Sequence, residues 1–384
     1  MSIKLGVDIR VLMDQQYSGI AWYTANLLSP LLESEEFVYR LYYNAWRAKP
    51  QLAKWSKDGV QLIATRYPNK LFNYCLQTIF RYPKIDQTLG GVDVFWSPHF
   101  NFTSLSKRVK QVITVHDLSF LRYPEFFSGR KNFWHRALQV KTVLNQARQI
   151  VAVSNNTKQD LIELLDIPAD KITVIYSGLN LPTLKPKVTE SQEFLAKWQL
   201  KPHYFLYLGN IEPRKNLVNL ILAYNQWQDS LNGQGEAYLV LAGGRGWKTR
   251  KIYQLAKRSP YREKIIFLGY VSEREKEILY EQALALVYPS LYEGFGFPPL
   301  EALARGVPVI CSNVSSLPEV VGSSAYLIDP LNVNDLARGL ERLAKDQSLR
   351  EYLIKQGRKR SQLFSWDKAA AEYLELFKRL ALEK

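Results

Sequence analysis

The stretch Tyr288–Ala302, reading YPSLYEGFGFPPLEA, constrains this chain more than any other part of it. It closes a short apolar run, Ala283–Tyr288, that reads as a buried strand. Glu293-Gly294-Phe295-Gly296-Phe297 cannot continue as regular structure, because two glycines flank an aromatic and two prolines follow at once. Pro298 or Pro299 suits the first turn of a helix, where a missing N–H costs nothing, and Leu300 to Arg305 continue that helix. The expected unit is strand, glycine loop, helix. Backbone amides in such a loop approach a ligand closely, and the helix N-terminus favours an anion by about 0.3–1 kcal/mol, up to ~2 when partly buried.

Two carboxylates bracket the loop, Glu293 before it and Glu301 inside the helix. One faces whatever sits against the loop, and the other reaches a group further along the same ligand. Such a pair can accept hydrogen bonds from two linked sugars, as a sugar nucleotide offers. A lone E-x7-E is more often a helix cap and a solvated helix residue, since the spacing alone is cheap. The intervening GFGFPPL favours the ligand reading.

The stretch resembles the E-x7-E signature of the retaining nucleotide-sugar glycosyltransferases of glycosyltransferase family 4, which share the GT-B fold. The resemblance implies that Glu293 contacts the hexose, that the amides of Gly294, Phe295, Gly296 and Phe297 meet sugar and diphosphate, with Leu300 just behind, and that Glu301 binds the nucleotide ribose.

At 384 residues the chain is too long for one ordinary core and suits two domains. A hydrophobic content of 47% excludes general disorder. The two cysteines, Cys75 and Cys311, lie far apart, so no disulfide framework is expected and a reducing compartment fits. The opening MSIKLGVDIRV has too short an apolar run for a signal peptide and reads as a first strand. No apolar stretch is long enough to span a bilayer. A cytoplasmic protein is expected.

The net charge of +15 is concentrated: Leu41 to Ile150 holds seventeen Lys and Arg against five Asp and Glu, interleaved with aromatics. No nucleic-acid-binding signature accompanies it, so nucleic acid is not an expected partner. In Arg66–Lys84, Leu71, Phe72, Cys75, Leu76, Ile79 and Phe80 fall at helical spacing with cations at both ends. That pattern fits a helix lying in an anionic membrane interface, and equally an ordinary surface helix packed on a sheet.

In chain order, strands are expected at Lys4–Val11, Phe37–Tyr43, Val60–Arg66, Val92–Ser97, Gln111–His116, Ile150–Ser154 and Ile172–Tyr176, alternating with helices as in a parallel sheet. The loop YSGIAWYT resembles a glycine-rich family segment that approaches acceptor or donor phosphate, and Gly19 is carried over from it. His116-Asp117 ends a buried strand, where open sheets bind ligands. The family's corresponding His contacts the transferred sugar; Asp117 either orients the imidazole or caps the next turn.

A linker is read from Leu179 to Gln192. The second half opens with a strand ending at Gly209, then Asn210 and EPRKN. The glycine leaves room for a diphosphate that Arg214 and Lys215 can neutralise. Gly243 and Gly244 are expected to line the nucleotide cleft, and the resemblance places Val271 where the family receives the base. After Val307–Cys311 the chain reads as helical to its end.

The expected fold is α/β of the GT-B type: two Rossmann-like doubly wound domains facing a central cleft, residues 1–180 for the acceptor and 181–365 for the nucleotide sugar, with helix 366–384 crossing back to the first. No D-x-D motif and no His/Cys cluster at metal-ligand spacing occurs, so no metal or other cofactor is expected beyond the sugar-nucleotide co-substrate. The expected activity is retaining transfer of a hexose, mannose from GDP-mannose first, to a glycan or lipid-linked acceptor in surface polysaccharide or glycolipid synthesis. His116, Glu293, Arg214 and Lys215 would carry it. A UDP-sugar transferase and a degenerate binding protein are the alternatives.

Overall fold

Continuous apolar runs become strands covered on both faces, the pattern of all-parallel sheets. The computed structural model describes residues 2–13, 19–46, 50–68, 82–127, 129, 138–180 and 185–383. The first sheet contains β1 (Ile3–Asp8), β2 (Phe37–Asn44), β3 (Val60–Thr65), β4 (Val94–Ser97), β5 (Lys110–Val115), β6 (Gln149–Ala152) and β7 (Ile172–Val174). Their order is β3-β2-β1-β4-β5-β6-β7, every pair parallel. The second sheet contains β8 (Tyr204–Leu208), β9 (Leu239–Ala242), β10 (Ile265–Gly269), β11 (Ala283–Tyr288), β12 (Val309–Ser312) and β13 (Tyr326–Ile328). Its order is β10-β9-β8-β11-β12-β13, again parallel throughout.

In both sheets the strand order reverses direction once, between β1 and β4 in the first and between β8 and β11 in the second. Doubly wound sheets open a crevice beyond the strands' carboxyl ends at that reversal, and ligands bind there. The strand β13 was not expected. It has three residues at a sheet edge and only Ile328 is buried, so it carries almost no apolar signal. The reading of a linker to Gln192 was also too long, since a helix already runs over Val188–Lys197, with Glu190 accepting from the Lys187 N–H.

Two units divide the chain: Met1–Arg122, Gly129–Gly178 and Ser365–Lys384 form one, Tyr123–Ser128 and Leu179–Phe364 the other. The short segment Tyr123–Ser128 departs from the sequence-based boundary because its partners lie in the second unit. The Trp247 indole N–H donates to the Phe126 carbonyl, Lys248 Nζ donates to the Phe127 carbonyl at 3.0 Å, and the Phe127 and Trp247 rings stack at 5.9 Å.

Helix Trp366–Leu382 belongs to the first unit, where its buried face meets β4, β5 and helix Gly19–Leu31. Tyr373 is fully buried, and its hydroxyl bonds to Thr114 Oγ1 at 2.6 Å and to the Tyr23 hydroxyl at 2.9 Å. The Trp96 indole N–H donates to the same Thr114 oxygen at 3.0 Å. Gly178 lies against the start of this helix, and a Cβ there would stand 2.2 Å from the Trp366 backbone nitrogen. Of the segment Arg66–Lys84, residues 69–81 lie outside the described residues. Among the described residues no helix is long and apolar enough to cross a membrane.

Candidate active site

The second unit's chemistry gathers at the carboxyl ends of β8 and β11, the reversal point of its sheet. After β8 the chain passes Gly209 at φ +143° and the exposed Asn210. It then turns through a short 3-10 segment, Pro213–Lys215, before helix Leu217–Asp229. Arg214 and Lys215 therefore precede the helix instead of opening it, and Asn216 in the left-handed region (φ +59°) makes the junction. After β11 the loop runs to Gly296 at φ +115°, and helix Phe297–Arg305 begins with Pro298 and Pro299 in its first turn.

These two connections meet in a buried ion cluster. Lys215 Nζ lies 2.5 Å from Glu293 Oε1 and donates to the Tyr288 hydroxyl at 2.8 Å. Arg214 reaches Glu293 Oε2 at 3.1 Å, the Tyr292 carbonyl at 2.6 Å and Glu212 Oε1 at 2.9 Å. Side-chain exposure is only 8% for Lys215 and 10% for Glu293, against 15% for Arg214. Burial pushes the Glu293 carboxyl up, yet Lys215 and Arg214 outweigh it and hold the group at about 2. Burial, then the neighbouring Arg214, lowers Lys215. Two carboxylates and two cations balance here. Each Glu293 oxygen spends one hydrogen bond on a cation, out of roughly four lone-pair directions a carboxylate offers.

The loop itself is pinned from β12's side. The Glu293 N–H donates to Ser315 Oγ at 2.9 Å, and Ser316 Oγ donates to the carbonyls of Glu293 and Phe295 at 2.9 and 2.8 Å. Phe295 is buried, packing against Phe297 and Phe364 at ring separations of 5.2 and 5.7 Å. Leu300 is fully buried. Glu301 is also held: Lys276 Nζ lies 3.2 Å from one oxygen and the Tyr280 hydroxyl donates to the other at 2.9 Å.

Gly243, after β9, has φ +147°, and a Cβ there would stand 1.9 Å from the Gly209 carbonyl oxygen. Two glycine backbones thus close the strand ends. Gly243→Ala is expected to destabilise the second unit by about 3 kcal/mol, the upper end of ordinary overpacking, because backbone and not a side chain must move. Urea unfolding followed by tryptophan fluorescence measures this. Val271 is partly buried against the core beside Gly269.

The first unit has its own constellation at the β1–β4 reversal. His116 follows β5, and its Nε2–H donates to the Pro98 carbonyl at 2.8 Å while Tyr23 meets the ring edge-on at 4.6 Å. A carbonyl can only accept, so a neutral His116 carries its proton on Nε2, and burial lowers its pKa in favour of that neutral form. Asp117 caps the next turn, accepting from the Ser119 N–H and hydroxyl at 2.9 and 2.5 Å. Gly19 opens helix Gly19–Leu31, with open space where a Cβ would be.

Sequence reading missed Asp8, its partner Arg10, and His99 here. Asp8, at the end of β1, is buried and chelated by Arg10, which also donates to the Phe102 carbonyl at 2.9 Å. His99, just past β4, has a buried Nδ1 with no hydrogen-bond partner among the described residues, and burial pushes it down to about 4. In the second unit Glu212, Tyr288, Lys276 and Tyr280 were missed likewise. Only the scarcity of histidine, four in the chain, could have drawn attention to His99.

The family profile described as "Glycosyltransferase Family 4" matches residues 17–182, and "Glycosyl transferases group 1" matches residues 189–360. The O-antigen chain mannosyltransferase B of Escherichia coli is 34% identical over 289 residues, 75% of this chain and 74% of that protein. The serotype-specific mannosyltransferase WbdA of Escherichia coli is 32% identical over 71% of this chain, which spans only 34% of that longer relative. Among solved structures, the sucrose-phosphate synthase of Thermosynechococcus elongatus aligns with a TM-score of 0.74 at 20% identity, covering 98% of this chain and 99% of that one. Anabaena HepE, solved with UDP and glucose, aligns at 0.75 and 17% identity over 98% of this chain and 100% of that one.

Proposed function

Because the chain belongs to glycosyltransferase family 4 and has the GT-B fold, we propose that it transfers mannose from GDP-mannose, with retention and without a metal. The acceptor is a glycan or lipid-linked saccharide of surface polysaccharide or glycolipid synthesis. One observation carries the reading: Arg214 and Lys215 clasp Glu293 at the β8–β11 reversal, directly before a helix N-terminus. The mannosyltransferase relatives support mannose as the sugar.

In this reading the diphosphate lies against the start of helix Phe297–Arg305, where its developing charge is met by Arg214 and the helix dipole. Lys215 acts mainly by fixing Glu293, which accepts from sugar hydroxyls with its remaining lone pairs. Glu301, steadied by Lys276 and Tyr280, accepts from the ribose. The acceptor oxygen bonds to the anomeric carbon as the carbon–phosphate oxygen bond breaks, and the acceptor proton passes to the departing diphosphate. Neutral His116 offers an acceptor nitrogen to a sugar hydroxyl. The excess of cations between Leu41 and Ile150 supports peripheral contact with an anionic membrane face.

Thermal unfolding with GDP, UDP, ADP and their sugar nucleotides, with and without magnesium, tests the donor. A ligand at a hundred times its Kd stabilises the native state by about 2.7 kcal/mol. The expected result is a metal-independent shift with GDP and GDP-mannose. A shift with UDP alone transfers the reading to UDP-sugars, the nucleotide in the Anabaena structure. No shift with any nucleotide sinks the transferase reading.

A further inference from the structure

The first unit has a second concave feature that the proposed reaction does not use. A cavity of about 560 Å³ is lined by Lys107, Arg108, Lys110, Arg148, Lys171 and one carboxylate, Asp170, among others. Lys110 opens β5, Arg148 immediately precedes β6 and Lys171 precedes β7. All three strands are parallel, so the cavity lies at the amino-terminal edge of the sheet, opposite the edge that carries His116, His99 and Asp8. It is a separate place by topology.

Two of its cations are held by neutral acceptors that leave their charge available. Lys110 Nζ donates to the Leu380 carbonyl at 2.7 Å and to that of Glu383, neutral acceptors at the end of helix Trp366–Leu382. Lys171 Nζ donates to the Asn145 carbonyl at 2.6 Å, and burial, then the nearby Arg148, lowers its pKa. Arg148 pairs with Glu383 at 2.6 Å. Lys107 and Arg108 sit exposed on the turn before β5. Among the described residues, Asp170 and Glu383 together leave three of the five cations without a counter-charge. A recess lined by one sign of charge concentrates the field, where a convex surface would let water disperse it. The volume falls in the range of small-molecule sites.

We propose that this cavity binds a phosphate-bearing ligand carrying at least two negative charges, through Lys107, Arg108, Lys110, Arg148 and Lys171. The chemistry fits a soluble phosphate compound and an anionic lipid headgroup alike. The site is independent of the donor reading, because none of its residues belongs to the second unit.

Calorimetric titration of the full chain with inorganic pyrophosphate at low salt tests it, wild type against Lys107→Ser/Arg108→Ser. Both replaced residues are exposed, so the variant keeps its fold, which circular dichroism verifies. At about fivefold per cation, affinity is expected to fall roughly 25-fold. Co-sedimentation with phosphatidylcholine vesicles, with and without phosphatidylglycerol, separates the sources. Binding to the anionic vesicles that pyrophosphate reverses assigns a lipid headgroup; pyrophosphate binding without vesicle binding assigns a soluble ligand. No pyrophosphate binding, or binding equal in wild type and variant, overturns the proposal, since equal binding belongs to the Arg214–Lys215 cluster.

Discussion

Glu293→Ala is expected to lower transfer from the sugar nucleotide by roughly 10²–10³-fold and to destabilise the second unit by about 3–5 kcal/mol. Both effects have one origin. The carboxylate is the shared partner of Lys215 and Arg214, and its removal leaves two buried cations with Glu212 as the remaining carboxylate in the cluster. Turnover with a saturating donor and chemical unfolding of the same preparation measure the two losses. Near-normal turnover would remove Glu293 from the mechanism.

The same cluster sets a pH dependence. The folded-state pKa of Glu293, about 2, lies below its ordinary 4.5. The unfolded chain therefore takes up the proton first as pH falls. The stabilisation is complete above about pH 5 and is lost between roughly pH 4.5 and 2, amounting to about 3 kcal/mol. Glu293→Gln should flatten that part of the curve while preserving the side chain's shape.

Tyr373→Ala is expected to destabilise the first unit by about 3–5 kcal/mol, the range for removing a large buried ring. The loss goes beyond packing, because Thr114 and Tyr23 give up a shared hydroxyl and Trp96 loses a ring partner at 5.3 Å. Tyr373→Phe retains the ring and should cost about 1–3 kcal/mol, the penalty of unsatisfied buried hydroxyls. Equal losses in both variants would mean that the hydrogen bonds, and not the ring, hold the helix.

Much of this was legible in the sequence because parallel strands write themselves as unbroken apolar runs. Ala283–Tyr288 is a strand to the residue. The glycine loop and the helix behind it were legible for a different reason: GFGFPP permits very little else. Pairing between side chains was not legible. Arg214 and Lys215 read as cations placed to neutralise a diphosphate, whereas both are engaged with Glu293, which is distant in sequence and adjacent only through the β8–β11 pairing. Asp8 and His99 were missed for the same reason, since their significance arises where β1 meets β4. Segment Tyr123–Ser128 carries no local sign that its partners are Trp247 and Lys248.

The first unit is discontinuous in the chain, taking residues up to Gly178 and then Ser365–Lys384. On the ribosome its sheet emerges early, but the helix that covers Trp96 and Thr114 is made only after the whole intervening unit. At about 5–20 residues per second that interval lasts roughly 10–40 s. For that time the nascent chain presents an open apolar groove, and the second unit can fold before the first is finished. Translation speed across residues 179–364, more than the stability of the finished protein, should therefore govern how much of it escapes aggregation.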